Sequence, residues 1–342
     1  MGQIETAAAR ANRPPAIRYR PRRVGHLNLW VTNWRASIDF YRTVCGFTEN
    51  GRESKLGAGF LSNGNTHHDL GIVNVQSGAT KIARAGHLKL LPDDYGKVSG
   101  LNHFGWEMDT EADLVAAVER ARAADFTIHR YTDQGNSYST YVFDQDGVVH
   151  QFYVDKQKDW RALYKGFELD FHSNPPWEPG KKPPSTARNY WVDPPISRNE
   201  HAPLHPIRVT HAVLLSNDIE RTKDFYTEVA GLAVAYAAPD GSVYYLAGSA
   251  AVADVVLFKA GPGRPAGMHH GAFECSADED MALAEADLAR RAIPVAASVD
   301  SANKRSVFVR DPDGMLLEFY VRRSTKRDGF KDDGSEQALL AA

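Results

Sequence analysis

The chain carries one pattern twice. Asp39-Phe40-Tyr41 returns as Asp224-Phe225-Tyr226 at an offset of 185, and His26 returns as His211 at the same offset. Farther along each copy the offset is 167, so that His103 matches His270, Glu107 matches Glu274 and Gln151 matches Glu318. The offset falls by 18, so the first copy holds extra residues, placed within 77–99. A period this long marks a duplicated domain rather than a solenoid. At 342 residues the chain has room for two domains of ordinary size.

Hydrophobic periodicity and turn chemistry divide each copy in the same way. In the first, 24–31 reads as a strand, Thr32 or Asn33 caps a helix to about Cys45, and Gly46 stops it. Residues 60–62 and 70–75 read as strands, joined across a turn that includes Asn63-Gly64-Asn65. Then come a strand over 101–108, an amphipathic helix over 111–124, and a hairpin of 138–143 with 148–154. The second copy repeats this order: strand 209–215, helix capped by Asn217 and stopped by Gly231, strands 244–246 and 254–258, and strand 268–274. Helix 280–291 and the hairpin of 305–309 with 315–321 close it. Each module is thus a βαβββ unit read twice. That is an α+β arrangement in which a curved sheet must bury one face.

The pattern sets the boundaries: an N-terminal arm over 1–22, modules over 23–155 and 207–323, a linker over 156–206, and a polar tail over 324–342. The arm is Arg/Pro-rich and expected to be mobile. Its first six residues match the loose N-myristoylation pattern, a match common by chance. The linker is punctuated by Pro175-Pro176, Pro183-Pro184 and Pro194-Pro195, yet carries Trp160, Leu163, Tyr164, Phe167, Trp177 and Trp191, and so should pack over the modules. A net charge of −3 points to neither nucleic acid nor an anionic membrane as partner. No apolar run approaches the ~20 residues that span a bilayer. Cys45 and Cys275 lie in segments read as buried, as reduced core thiols, which fits a reducing, cytoplasmic compartment.

Three potential ligands sit inside strand-like segments of the second module: His211, His270 and Glu318. Two neutral imidazoles and a carboxylate suit non-heme Fe(II) with positions left open; Mn(II) is not separable by ligand type. Alternation puts Glu318 and Tyr320 on one strand face, and His270, Ala272 and Glu274 on another, with His269 pointing outward. The first module has His26, His103 and Gln151. Glutamine cannot offset the charge of the metal as glutamate does, so this module is read as a structural partner without metal. His67 and His68 lie near its cavity, or are surface histidines flanking a turn.

With these pieces in place, the chain resembles the vicinal oxygen chelate superfamily, and within it the two-domain extradiol ring-cleaving dioxygenases. The likeness rests on His26 and His211, the two Asp-Phe-Tyr helices and the Asp-x-Asp-Gly hairpins at 144–147 and 311–314. His67-His68-Asp69-Leu70, Leu101-Asn102-His103-Phe104, Gln151-Phe152-Tyr153-Val154 and Glu318-Phe319-Tyr320-Val321 extend it. The resemblance implies two glyoxalase/extradiol dioxygenase-like half-barrels, with Fe(II) held by His211, His270 and Glu318. It implies an aromatic diol and O2 as substrates, and a homo-oligomer.

The resemblance also implies an acid/base residue near the metal, normally histidines and a tyrosine of the second module. The stretch matching His67-His68 is Val252-Ala253, and 298–309 lacks histidine and tyrosine. Candidates to substitute are Tyr244, Tyr245, Tyr320, His201 and His205, with Tyr320 and His205 ranked first. Two other readings stay open: a Lewis-acid isomerase or lyase of the same fold, and a metal-free protein that binds an aromatic ligand. The first of these commonly takes four protein ligands, and Glu274 lies ~13 Å along its strand from His270, too far for an easy fourth.

Overall fold

The computed structural model describes residues 16–77, 94–171, 174–277, 279–325 and 335–342. Two eight-stranded mixed sheets share one strand plan. The first runs β2(Glu49–Glu53), β3(Ala58–Leu61), β4(Leu70–Asn74), β1(Arg23–Val31), β5(Gly100–Glu107), β8(Val149–Asp155), β7(Ser137–Phe143), β6(Ile128–Asp133). The second runs β10(Ala233–Ala237), β11(Val243–Ala247), β12(Val255–Lys259), β9(Pro206–Ser216), β13(Gly267–Cys275), β16(Leu316–Arg322), β15(Lys304–Arg310), β14(Val295–Asp300). In each sheet the leading strands of two βαβββ units lie antiparallel at the centre, as β1 with β5 and β9 with β13. The α+β, tandem half-barrel architecture expected from the repeat is the one observed.

Helices α1(Trp34–Thr43) and α2(Glu111–Ala123) serve the first module; α3(Ile219–Asp224) and α4(Met281–Arg290) serve the second. Asn33 caps α1 by accepting from the Ala36 N–H, and Asp218, not Asn217, caps α3. Asp218 is the repeat partner of Asn33. The turn after α3 widens into a π-turn over Phe225–Val229. Gly46 and Gly231 follow the helices at φ 76° and 79°, a left-handed step that costs a side chain more than glycine.

The modules share one core. Phe47 packs edge-on against Phe273 at 5.1 Å, and His150 lies 4.7 Å from Phe225. Two buried carboxylates cross between the modules in a reciprocal way. Asp254 accepts from the Val24 N–H at 2.6 Å, and Asp69 accepts from the Val209 N–H at 3.0 Å. Each pair is the repeat image of the other. Cys45 and Cys275 are free and buried.

The segments outside the modules differ from the sequence reading in two places. Of the arm, residues 1–15 lie outside the described residues, but Ile17 and Tyr19 are buried, and Tyr19 stacks on Phe152 at 4.1 Å. Backbone N–H groups of Arg18 and Tyr19 donate to Glu228 and Val229, which ties this stretch to the second module. The polar tail ends in α5(Glu336–Ala341), whose Ala338 and Leu339 are buried against Val213, Val243 and Phe258. Ile17 and Tyr19, and Ala338 and Leu339, are held by burying apolar surface, in runs too short to register as an amphipathic element in the sequence. In the linker Trp160, Phe171 and Trp177 are buried, and Trp177 stacks on Tyr138 at 5.3 Å. Phe167 remains exposed. Part of the 18-residue excess of the first module, 78–93, lies outside the described residues.

Candidate metal centre

Strand register explains why three side chains from three strands meet. His211 on β9, Ala272 on β13 and Glu318 on β16 lie abreast, and His270 is two residues back along β13 on the same face as Ala272. The small Ala272 in the middle leaves space for its neighbours to close over it. His211 Nε2 lies 3.7 Å and His270 Nε2 3.5 Å from Glu318 Oε2. All three side chains are buried.

These three facing atoms, His211 Nε2, His270 Nε2 and Glu318 Oε2, are buried polar atoms with no hydrogen-bond partner. A buried polar atom left without a partner costs ~1–3 kcal/mol, so three at one point call for an occupant. The atoms behind them are all held. His211 Nδ1 meets Thr210 Oγ1 at 3.1 Å, and that hydroxyl also accepts from Tyr320 Oη at 3.2 Å and donates to the Ala272 carbonyl. His270 Nδ1 meets His269 Nδ1 at 2.7 Å, and His269 Nε2 lies 3.1 Å from Glu336 Oε1. With His269 donating to the carboxylate, its Nδ1 accepts from His270, which leaves the His270 Nε2 lone pair bare. Such outer partners are what orient imidazole ligands toward a metal. The residues present therefore fit a divalent transition metal.

Glu318 Oε1 is occupied by the Ser306 hydroxyl and, at 2.6 Å, by Lys304 Nζ. Burial alone would raise the Glu318 carboxyl, but the Lys304 ammonium and the two histidines hold it down at about 2. Burial also lowers His211 to about 3 and His270 to about 4, so both are neutral and ligand-ready near pH 7. Burial lowers Lys304 from its ordinary value as well.

Lys304 is the residue that sequence reasoning passed over. The stretch 298–309 lacks histidine and tyrosine, but its ammonium lies on the Glu318 side of β15. The available signal was alternation, since Lys304 and Ser306 share a face and pair with Arg322 and Tyr320 on β16. Lys304 also donates to the carbonyl oxygen of Ala342.

The two expected proton carriers are placed differently. Tyr320 is buried with its ring 6.0 Å from that of His211, and its hydroxyl lies between Thr210 and Arg322 Nη2, the latter at 2.7 Å. His205 precedes β9 by one residue and sits ~20 Å along the strand direction from His211. Its Nδ1 meets Glu279 at 2.9 Å, so the structure does not bring it to the centre. That contact with Glu279 is what its position in the linker could not show. Glu274 is engaged by Arg208 and Arg322, away from the ligands. A cavity of about 60 Å³ adjoins the centre, bordered by His211, Tyr245, Lys304, Tyr320, Ala341 and Ala342. A crevice of about 760 Å³ lies between the modules and touches His269; His211 and Glu318 do not line it.

The first module has the same register. His26, Gly105 and Gln151 lie abreast, with His103 two residues back on β5. Here the gap is closed by hydrogen bonds. Gln151 Oε1 sits between His26 Nε2 and His103 Nε2, at 3.1 and 2.9 Å. Its amide nitrogen donates to Gln134 and Ser139. His67 and His68, far from being surface residues, are buried beside His26.

Sequence comparison agrees with the duplicated architecture. A model of the Glyoxalase/Bleomycin resistance protein/Dioxygenase superfamily matches residues 23–152 and 208–319. The chain belongs to this superfamily. No curated protein sequence gives a match. Among solved structures, the 2,3-dioxygenase LapB from Pseudomonas sp. KL28 superposes with a TM-score of 0.62 at 18% identity, covering 93% of this chain and 97% of that one. The Mn(II)-bound glyoxalase from Novosphingobium aromaticivorans gives 0.61 at 14% identity, covering 89% and 83%. Homoprotocatechuate 2,3-dioxygenase from Arthrobacter globiformis gives 0.58 at 17%, covering 90% and 81%. At these identities the likeness is one of fold. Two of the three neighbours carry dioxygenase names and one a glyoxalase name.

Proposed function

We propose that the chain is a non-heme Fe(II)-dependent, extradiol-type dioxygenase that opens the ring of a catechol or related aromatic diol with O2. The observation that carries this reading is the set of three unpartnered buried atoms, His211 Nε2, His270 Nε2 and Glu318 Oε2. Two imidazoles and one carboxylate on one side of a divalent ion are the donor set of Fe(II) oxygenases, with Mn(II) an accepted substitute. The bound ion would supply coordination for a diolate and for O2.

The chain's own groups do the rest. Glu318 contributes the single negative charge that lowers the net charge at the site. Thr210 and His269 fix the ring orientation of His211 and His270. Tyr320 holds Thr210 and so acts as a positioning residue for His211. Lys304 presents a cationic donor to the cavity beside His211, where it can meet the charge of a substrate oxygen. That cavity, at about 60 Å³, is smaller than the ~150 Å³ that holds benzene. Ala341 and Ala342 enter it, so a diol ring requires α5 to give way.

A second reading, a Lewis-acid isomerase or lyase, needs no O2 but does need a base, and neither Val252 nor Ala253 at the cavity wall can carry a proton for either reading. Oxygen uptake separates the two. Protein purified without air, loaded with Fe(II) and given a panel of catechols should consume O2 and release a yellow ring-opened product, and Glu318→Ala should do neither. Absence of uptake while Glu318-dependent metal stays bound would sink the dioxygenase reading in favour of the Lewis-acid one.

A further inference from the structure

Beside the closed His26–Gln151–His103 set lies a second group of ligating atoms. One nitrogen from each of His26, His67 and His68 lies within 4.8 Å of the other two, and all three side chains are buried. In each ring the other nitrogen already has an oxygen acceptor. His26 Nε2 meets Gln151 Oε1 at 3.1 Å, His67 Nδ1 meets the Asp155 carboxylate at 2.8 Å, and His68 Nε2 meets Asn28 Oδ1 at 3.2 Å. An N–H must point at each acceptor, so a neutral ring keeps its lone pair on the remaining nitrogen. Two of those remaining nitrogens, His26 Nδ1 and His68 Nδ1, are buried with no partner.

We propose that the first module holds a three-histidine site for a zinc-like divalent cation, bound by His26 Nδ1, His67 Nε2 and His68 Nδ1. Three neutral imidazoles with one position left open form a known donor set for such ions. The acceptors behind the rings are the outer partners that a metal-bound histidine normally has, and the Asp155–His67 pair is the carboxylate–histidine form of it. The backbone is cut to fit this cluster. A side-chain carbon on Gly105 would fall 2.0 Å from the His26 ring, and one on Gly71 would fall 2.1 Å from Asn28 Oδ1. Binding requires the His26 and His68 rings, stacked with centroids 4.0 Å apart, to pivot open about their fixed N–H contacts. The site uses His26 but not His103 or Gln151, so it is not the repeat image of the centre in the second module. It stands whether or not the dioxygenase reading does.

The test is metal counting and ligand counting with Co2+ as probe. Wild-type protein stripped of metal should take up two Co2+ per chain, and Glu318→Ala should take up one. In the Glu318→Ala protein, proton NMR should show three exchangeable imidazole N–H signals shifted by the paramagnetic ion, one for each histidine. His67→Ala and His68→Ala should each lower the wild-type count from two to one, with His103→Ala as a control that leaves it at two. Asp155→Asn should weaken the Glu318-independent ion ~10–100-fold. A wild-type count of one, no Co2+ on Glu318→Ala, or only two shifted N–H signals would overturn the proposal. The last result is the signature of His26 and His103 with the Gln151 carbonyl.

Discussion

At the scale of single residues, the two modules solve one problem in opposite ways. Both place a histidine, a small residue and a Glu or Gln abreast on three strands. With Gln151 the amide oxygen sits between the two imidazoles, at 3.1 and 2.9 Å, and occupies the gap without an ion. With Glu318 the outer oxygen is taken by Lys304 and Ser306 while the inner one is left bare. Lys304 therefore stabilises a buried charge in the metal-free chain and competes electrostatically with a bound cation. Removing one partner of a buried ion pair costs ~3–5 kcal/mol. Lys304→Met should lower the stability of the metal-free protein by about 3 kcal/mol in denaturant melts. It should also enlarge the stabilisation gained on adding Fe(II) or Mn(II). A variant as stable as wild type without metal would show that Lys304 does not have this role.

At the scale of elements, the central strands and helices were legible and the sheet edges were not. The strands β1, β5, β9 and β13 are apolar runs carrying an imidazole, so their periodicity is plain. The edge strands β2, β6, β10 and β14 were not read. β2 is Glu-Asn-Gly-Arg-Glu, with no apolar side chain although Glu49, Gly51 and Glu53 are buried, and β14 is Val-Ala-Ala-Ser-Val-Asp, half-exposed with no buried residue, so neither stands out as an apolar run. α5 is the other element hidden in polar sequence. Its Leu339 is fully buried against the second sheet, and its end lies in the cavity beside Lys304 and His211. Leu339→Asp should detach this helix, because a carboxylate there would be buried without a partner. The expected outcome is a several-fold faster loss of the Glu318-dependent metal to a chelator, with the sheets intact by circular dichroism. An unchanged rate would mean that α5 does not cover the centre.

At the scale of the whole molecule, the buried histidines couple stability to pH. Burial lowers His103 and His211 to about 3 and His270 to about 4, and pushes His26 and His68 well below the ordinary imidazole range. The unfolded chain titrates near ~6.5, so between pH 6.5 and 4 it binds more protons than the folded one, and stability falls as the pH falls. At pH 5 His103, His211 and His270 each remove about 2 kcal/mol relative to pH 8, and His26 and His68 act in the same direction. Glu318, held at about 2, adds loss of the same sign below pH 4.5. Metal-free protein should therefore unfold at much lower denaturant concentration at pH 5 than at pH 8. A midpoint independent of pH over that range would contradict the neutral, buried state of these rings. The two modules should melt together, since they share one core and exchange the Asp69 and Asp254 caps.

The duplication, the α+β class and the three strand-borne side chains that meet, His211, His270 and Glu318, were all legible in the sequence. They rest on spacing and alternation, which act through the backbone and are local. Lys304, the anchoring of His205 by Glu279, and the packing of Tyr19 and α5 depended on which surfaces meet after folding. So did the closed amide at Gln151 and the burial of His67 and His68 beside His26. The type of a polar residue tells what it can bond to, but only the tertiary structure decides which of its atoms are already taken. That choice of occupied and bare nitrogens separates a ligand from a core histidine, and it is made by neighbours tens of residues away in the chain.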